Sequence, residues 1–205
     1  MLNKILSGVS AGILISIGGT VFLACENRIA GAVFFAVALL CICYKGYSLF
    51  TGRVGYLPEK HDREAVSALL WGLLGNAAGT VICGLLIRYA LPDIGAAAEV
   101  SAAAKLTQLP LQTLIRAFFC GVLMYLAVSI FRDAKTPLAI LYGIPVFILS
   151  GFEHSIADMF YLSAAASFTG RALLFILIVL IGNSLGGVLL PAAACRRRQP
   201  ATRDF

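Results

Sequence analysis

Apolar residues in this chain come in long unbroken runs. Six of them are long enough to cross a bilayer as helices, at roughly residues 5–25, 30–50, 66–91, 112–131, 137–166 and 171–194, since a spanning helix needs about 20 predominantly apolar residues. Alternation with a period of two is absent, so a β-barrel is not expected. The first run follows Lys4, as the apolar part of a signal peptide would. It is too long for one, and no clear small-x-small cleavage site precedes Arg28, so it is read as the first span. The predicted fold class is all-α transmembrane: a six-helix bundle forming one domain over residues 1–195, then a basic tail at 196–205.

The runs fall into two halves of three. The third run of each half carries the same small-residue motif, Gly75-Asn76-Ala77-Ala78-Gly79 and Gly182-Asn183-Ser184-Leu185-Gly186. Glycines four apart make a smooth face for close helix packing, and an asparagine can hydrogen-bond across it. The second run of each half meets a glycine-containing polar interruption. In one this is Lys45-Gly46-Tyr47-Ser48-Leu49-Phe50-Thr51-Gly52, in the other Ser150-Gly151-Phe152-Glu153-His154-Ser155. Three spans per half invert the second half, and paired interruptions in an inverted repeat point to a midplane site between broken helices.

Composition agrees with the pattern: 60% of the 205 residues are hydrophobic and 13% charged, against about 25% charged in soluble domains. The net charge of +6 comes from basic residues gathered at one set of span ends. Lys4, Arg53, Lys60, Arg63, Arg132, Lys135, Arg196, Arg197, Arg198 and Arg203 share one side, which puts both termini in the cytoplasm. The Arg196–Arg198 run follows a last span and reads as an orientation signal, so nucleic acid is not an expected partner. The six cysteines are scattered through the spans and read as small packing residues. No P-loop, nucleophile–base pair or metal-ligand spacing is present, so neither enzymatic chemistry nor a cofactor is expected.

The most informative residues are Glu153, His154 and Asp158, three ionisable groups inside an apolar run. Such groups usually face a bundle interior or a water-filled path. His154, with an unperturbed pKa near 6.5, changes charge around neutrality; it is the candidate hydrogen-bond or proton donor to a passing anion. Glu153 is expected to hydrogen-bond exposed amides of the broken helix. Asp158 falls one turn into the following half-helix, where a carboxylate is favoured. Both are read as scaffold. Phe35 and Leu39 share a helix face and, with Leu49, Phe50 and Thr51, form either a narrow apolar constriction or plain packing. Lys45 either snorkels to the interface or faces an aqueous funnel.

Gly151-Phe152-Glu153-His154-Ser155-Ile156-Ala157-Asp158-Met159 resembles a signature of the formate/nitrite transporter family, which reads Gly-Phe-Glu-His-Ser-(Ile/Val)-Ala-Asn-Met. Leu49-Phe50-Thr51-Gly52 is similar to its Leu-Phe-Thr-Gly break, Gly75-Asn76 and Gly182-Asn183 to its Gly-Asn helices, and Ala11–Gly18 to its first span. The resemblance covers nearly the whole chain. It implies an aquaporin-like protomer in a homopentamer, one pore per protomer, surrounded by lipid, with helices 2 and 5 broken. By it His154 is the central pore histidine, Phe35 and Leu39 the cytoplasmic constriction, Phe147 and Phe152 the outer one, and Lys105 the approximate counterpart of a vestibule lysine. Gly46, Gly52, Gly75, Asn76, Gly151, Glu153, Asp158, Gly182 and Asn183 take structural places. The chain departs in lacking the family's amphipathic amino-terminal helix and its span-4 asparagine. Small monovalent anions are the expected substrates, formate first and nitrite or hydrosulfide next; a neutral-solute pore is the alternative.

Overall fold

The computed structural model describes residues 1–198; the expected tail residues 199–205, Arg203 among them, lie outside the described residues. The described chain is helical: α1 (Leu2–Ala24), α2 (Arg28–Lys45), α3 (Phe50–Arg53), α4 (Arg63–Ala90), α5 (Pro92–Leu106), α6 (Pro110–Ala134), α7 (Leu138–Leu149), α8 (Ser155–Ala164) and α9 (Gly170–Arg198). A short 3-10 turn, Val54–Tyr56, follows α3. Helix α9 continues three residues past the expected domain boundary at 195.

Among the described residues, α1, α2, α4, α6 and α9 have the length and apolarity to cross a membrane. The stretch expected as one span at 137–166 is instead two shorter helices, α7 and α8, joined by the irregular residues 150–154. Pro145 lies within α7. Helix α5 was not expected, because its run of alanines is too short and too weakly apolar to read as a span. Pro92 starts it well, since a helix's first N–H needs no partner.

Helix α1 packs along α4 and α6 along α9, the two most extensive pairings. The Gly-Asn motifs make these contacts possible. A Cβ on Gly75 would lie 2.8 Å from Gly8 Cα, and one on Gly182 would lie 2.5 Å from Ala117 Cβ. The outer surface is apolar: Leu173, Leu177, Ile181 and Leu185, one turn apart on α9, are all exposed. Such a surface suits a lipid or subunit environment.

Candidate functional site

Both interruptions are helix ends after which the chain runs on through buried positions, 48–52 after α2 and 153–158 after α7. Helix α2 ends at Gly46 (φ 67°), and the loop after α7 turns at Gly151 (φ 71°). Left-handed backbone costs an L-residue roughly 1–2 kcal/mol, so glycine here lets the chain leave the helix. The backbone groups thus exposed cannot reach water, and an asparagine satisfies each set. Asn76 accepts from Phe50 N (2.9 Å) and donates to Ser48 O (2.8 Å) and Gly8 O (2.9 Å). Asn183 accepts from Ser155 N (2.9 Å) and donates to Glu153 O (2.8 Å) and Ala117 O (2.8 Å). Both asparagines are fully buried. The two brackets are equivalent, and they set Leu49 and His154 in the same place within each half.

His154 is the residue just before α8, and its ring closes that helix. Its Nδ1 accepts the Ala157 N–H at 3.1 Å, satisfying one of the orphan amides of the first turn. Its Nε2 lies 2.8 Å from Thr51 Oγ1. A nitrogen that accepts carries no proton, so this bond pattern assigns the neutral tautomer with the proton on Nε2, donated to Thr51. The Phe147 ring stacks on the imidazole, with centroids 5.6 Å apart and planes at 19°. Phe35 meets Phe147 edge-on at 6.4 Å. His154 and Thr51 are 2% and 1% exposed, so the hydrogen bond between the two breaks is buried.

One turn further along α8, Asp158 Oδ1 lies 2.9 Å from Lys105 Nζ, and the same ammonium binds Glu153 Oε2. Gln108 donates to Glu153 Oε1 at 2.6 Å, and Thr113 donates to Gln108 Oε1 at 3.2 Å. Lys105 and Gln108 come from the end of α5 and the residues just after it, the part of the chain with no span-length signal. The expectation that Glu153 hydrogen-bonds exposed amides is corrected here. Its carboxylate clasps Lys105 and Gln108, and only its backbone carbonyl takes part in the Asn183 bracket. Asp158 likewise holds Lys105.

Two cavities approach this centre, of about 450 and 460 Å³. The first opens where α2 ends and α4 begins; Leu39, Leu49 and Gly52 line it, with Arg53, Lys60 and Arg132 at its mouth. The second is lined by Phe35, Phe147, Phe152, His154, Lys105 and Asp158. No described residue lines both, so the two cavities are separate, with Leu39 and Leu49 on one side of the division and Phe35, Phe147 and His154 on the other. This corrects the pairing of Phe35 with Leu39 at one constriction. Four residues rise about 6 Å along a helix, enough to put them on opposite faces of the barrier. Phe152 stacks on Phe119 at 5.6 Å, and Phe50 is buried in the core. Lys45, read as either snorkelling to the interface or facing an aqueous funnel, is exposed at the end of α2 and is not among the residues lining the first cavity. Arg53 is there instead, donating to Gly46 O at 3.0 Å. The Lys105 clasp was missed in the sequence because its partners lie 48 and 53 positions away; the signal was an isolated lysine and two carboxylates in otherwise apolar surroundings.

Comparison with known proteins agrees with this geometry. The chain is 29% identical over 182 residues to the uncharacterized transporter YwcJ of Bacillus subtilis, spanning 77% of this chain and 71% of that protein. It is 28% identical over 202 residues to the nitrite transporter NirC of Salmonella typhimurium, spanning 89% and 75% respectively. Its fold matches that of a pentameric formate channel with formate bound at a TM-score of 0.81 and 22% identity, over 96% of both chains. An FNT family ion channel matches at 0.76 and 23% identity, over 97% of this chain and 89% of that one. The sequence model of the formate/nitrite transporter family matches residues 1–196, and with it the chain belongs to that family of membrane channels.

Proposed function

We propose that this protein conducts a small monovalent anion, formate first and nitrite second, through each protomer of a homopentamer, with the anion neutralised by a proton at His154. The observation that carries this reading is the neutral imidazole buried between two separate cavities, its only N–H held by Thr51. A bare anion in the apolar middle loses its hydration at a cost of several kcal/mol even after relaxation. A hydrogen bond from Nε2 lowers that cost. A proton carried by cavity water beside the ring removes the charge: an O–H bond of the hydrated proton breaks, one forms on the anion, the imidazole keeps its own N–H, and the neutral acid crosses the Phe35–Phe147 and Leu39–Leu49 layers easily.

The electrostatics support an anion. Helix α8 points its positive end at His154. Arg53, Lys60 and Arg132 surround the mouth of one cavity, and Arg28 and Arg116 line the other. These charges concentrate an anion, and salt weakens that attraction. The more basic mouth faces the cytoplasm by the positive-inside rule, with both termini on that side of a cell membrane. The relatives' names favour formate and nitrite over hydrosulfide. The apolar outer face supports assembly, and native mass spectrometry in detergent is expected to show pentamers; monomers alone would count against it.

The test is uptake of formate, nitrite and hydrosulfide into proteoliposomes at several pH values, for wild type and His154→Asn. Asparagine still caps α8, so the fold is kept, but it does not titrate. The expected outcome is anion leak without pH dependence. An unchanged pH profile in His154→Asn overturns the proposal, and a neutral-solute pore would be indifferent to both pH and the substitution.

A further inference from the structure

The Lys105 clasp contains more negative charge than it can use. Lys105 carries one positive charge and faces two carboxyl groups, so with both ionised the cluster holds a net negative charge in an apolar interior. Unpaired buried charge is strongly disfavoured, and in practice such a site takes up a proton. The two carboxyl groups are not equally placed to take it. Both oxygens of Glu153 accept hydrogen bonds, from Lys105 and from Gln108. Asp158 is 1% exposed, and its Oδ2 is buried without a protein partner. The other titratable or charged groups facing it are Tyr161 and His154 from its own segment and Cys120 and Arg116 from α6. Among the described residues, Lys105 is the one cation in direct contact with Asp158. The family signature carries asparagine at this place, where this chain has Asp158.

We propose that Asp158 Oδ2 is a second proton-binding site, a carboxylic acid on the Lys105-side cavity that exchanges its proton with the entering anion. The inference rests on the conducted species being an anion, as proposed above. At rest the cluster is Lys105 ammonium, Glu153 carboxylate and protonated Asp158, neutral in sum. When a carboxylate-type anion such as formate reaches the cavity, the O–H bond of Asp158 breaks and an O–H bond forms on the anion. A neutral acid moves on toward His154, and the ionised Asp158 is reprotonated from water in the same cavity. Because two carboxyl groups share one cation, the proton's affinity belongs to the cluster as a whole.

Two measurements test it, on the full-length protein in liposomes. Infrared difference spectroscopy at neutral pH is expected to show the carbonyl stretch of a protonated carboxylic acid. Carbon-13 labelling of the aspartate carboxyls should shift that band, and Asp158→Asn should abolish it. The other described aspartates, Asp62, Asp93 and Asp133, are exposed. Glu153→Gln should also remove the band, because Asp158 then pairs with Lys105 as a simple ion pair. In uptake assays Asp158→Asn, nearly the same size and shape, should match wild type at acid pH. Its fall-off with rising pH should move about one unit lower, about a tenfold loss on the alkaline limb. An absent band, a band unmoved by aspartate labelling, or an Asp158→Asn pH profile superimposable on wild type overturns the inference. Wild-type liposomes that take up no anion overturn the proposed function instead, and the infrared band still decides where the proton sits.

Discussion

At the first break Asn76 holds Ser48 and Phe50; at the second Asn183 holds Glu153 and Ser155 in the same way. Each break begins with a left-handed glycine, Gly46 or Gly151. The side chains at the equivalent centre then diverge. Leu49 is a plain apolar plug with no cap on α3, and α3 stops after four residues and a 3-10 turn. His154 caps α8, which runs ten residues, and its ring reaches Thr51 of the other half. Thus the repeat supplies two supports of one design, and the chemistry is placed on one of them. The inverted frame satisfies the backbone, which leaves the central side chain of each half free to serve either as a seal or as a donor.

The largest effect expected from this comparison comes from making the second break like the first. His154→Leu should reduce anion uptake to that of protein-free liposomes. Its stability should fall by the lost cap, about 1 kcal/mol, and by about 1–3 kcal/mol more for the Thr51 hydroxyl left buried without its partner. Leu49→His added to His154→Leu should not rescue uptake, because the histidine then stands on the wrong side of the barrier. A conducting double variant would show the two centres to be interchangeable.

The brackets themselves should prove equal. Asn76→Leu and Asn183→Leu each strip one backbone N–H and two carbonyls of their partners. An unsatisfied buried group costs about 1–3 kcal/mol, so each variant should lose on the order of 3 kcal/mol or more, read from thermal unfolding in detergent. A clear gap between the two would mean the halves do not share the load evenly.

Smaller and again matched effects are expected at the turns. Gly46 has open space around the position of a Cβ, and the nearest atom at Gly151 is Arg116 Nη1 at 4.0 Å. Alanine at either therefore meets no clash, only the left-handed backbone penalty of about 1–2 kcal/mol. Lys45→Ala, at an exposed site beside the first turn, should stay within about 0.5 kcal/mol. Unequal losses at Gly46 and Gly151, again measured by unfolding, would point to strain from the neighbouring helices.

Much of this was legible in the chain. The glycine of each break announces a backbone that leaves the helix, and Asn76 and Asn183 stand out as amides among small residues. His154 is conspicuous as an ionisable group in an apolar run. Helix α5 was not legible, because its alanines give neither span length nor a clear apolar stripe. Nor was the separation of Phe35 from Leu39: a shared helix face says nothing about where along its length a barrier falls.

The sequence by itself determined the solvent, the helical class and the places where helices break. Those properties depend on apolar length and on backbone conformation, which act locally. The tertiary structure alone decided that Lys105 is clasped by Glu153 and Asp158, that Arg53 and not Lys45 lines the basic cavity, and that the His154 ring bears its proton on Nε2 toward Thr51. These depend on side chains about 50 to 100 positions apart meeting at one point, and only the packing of helices in three dimensions fixes such a meeting.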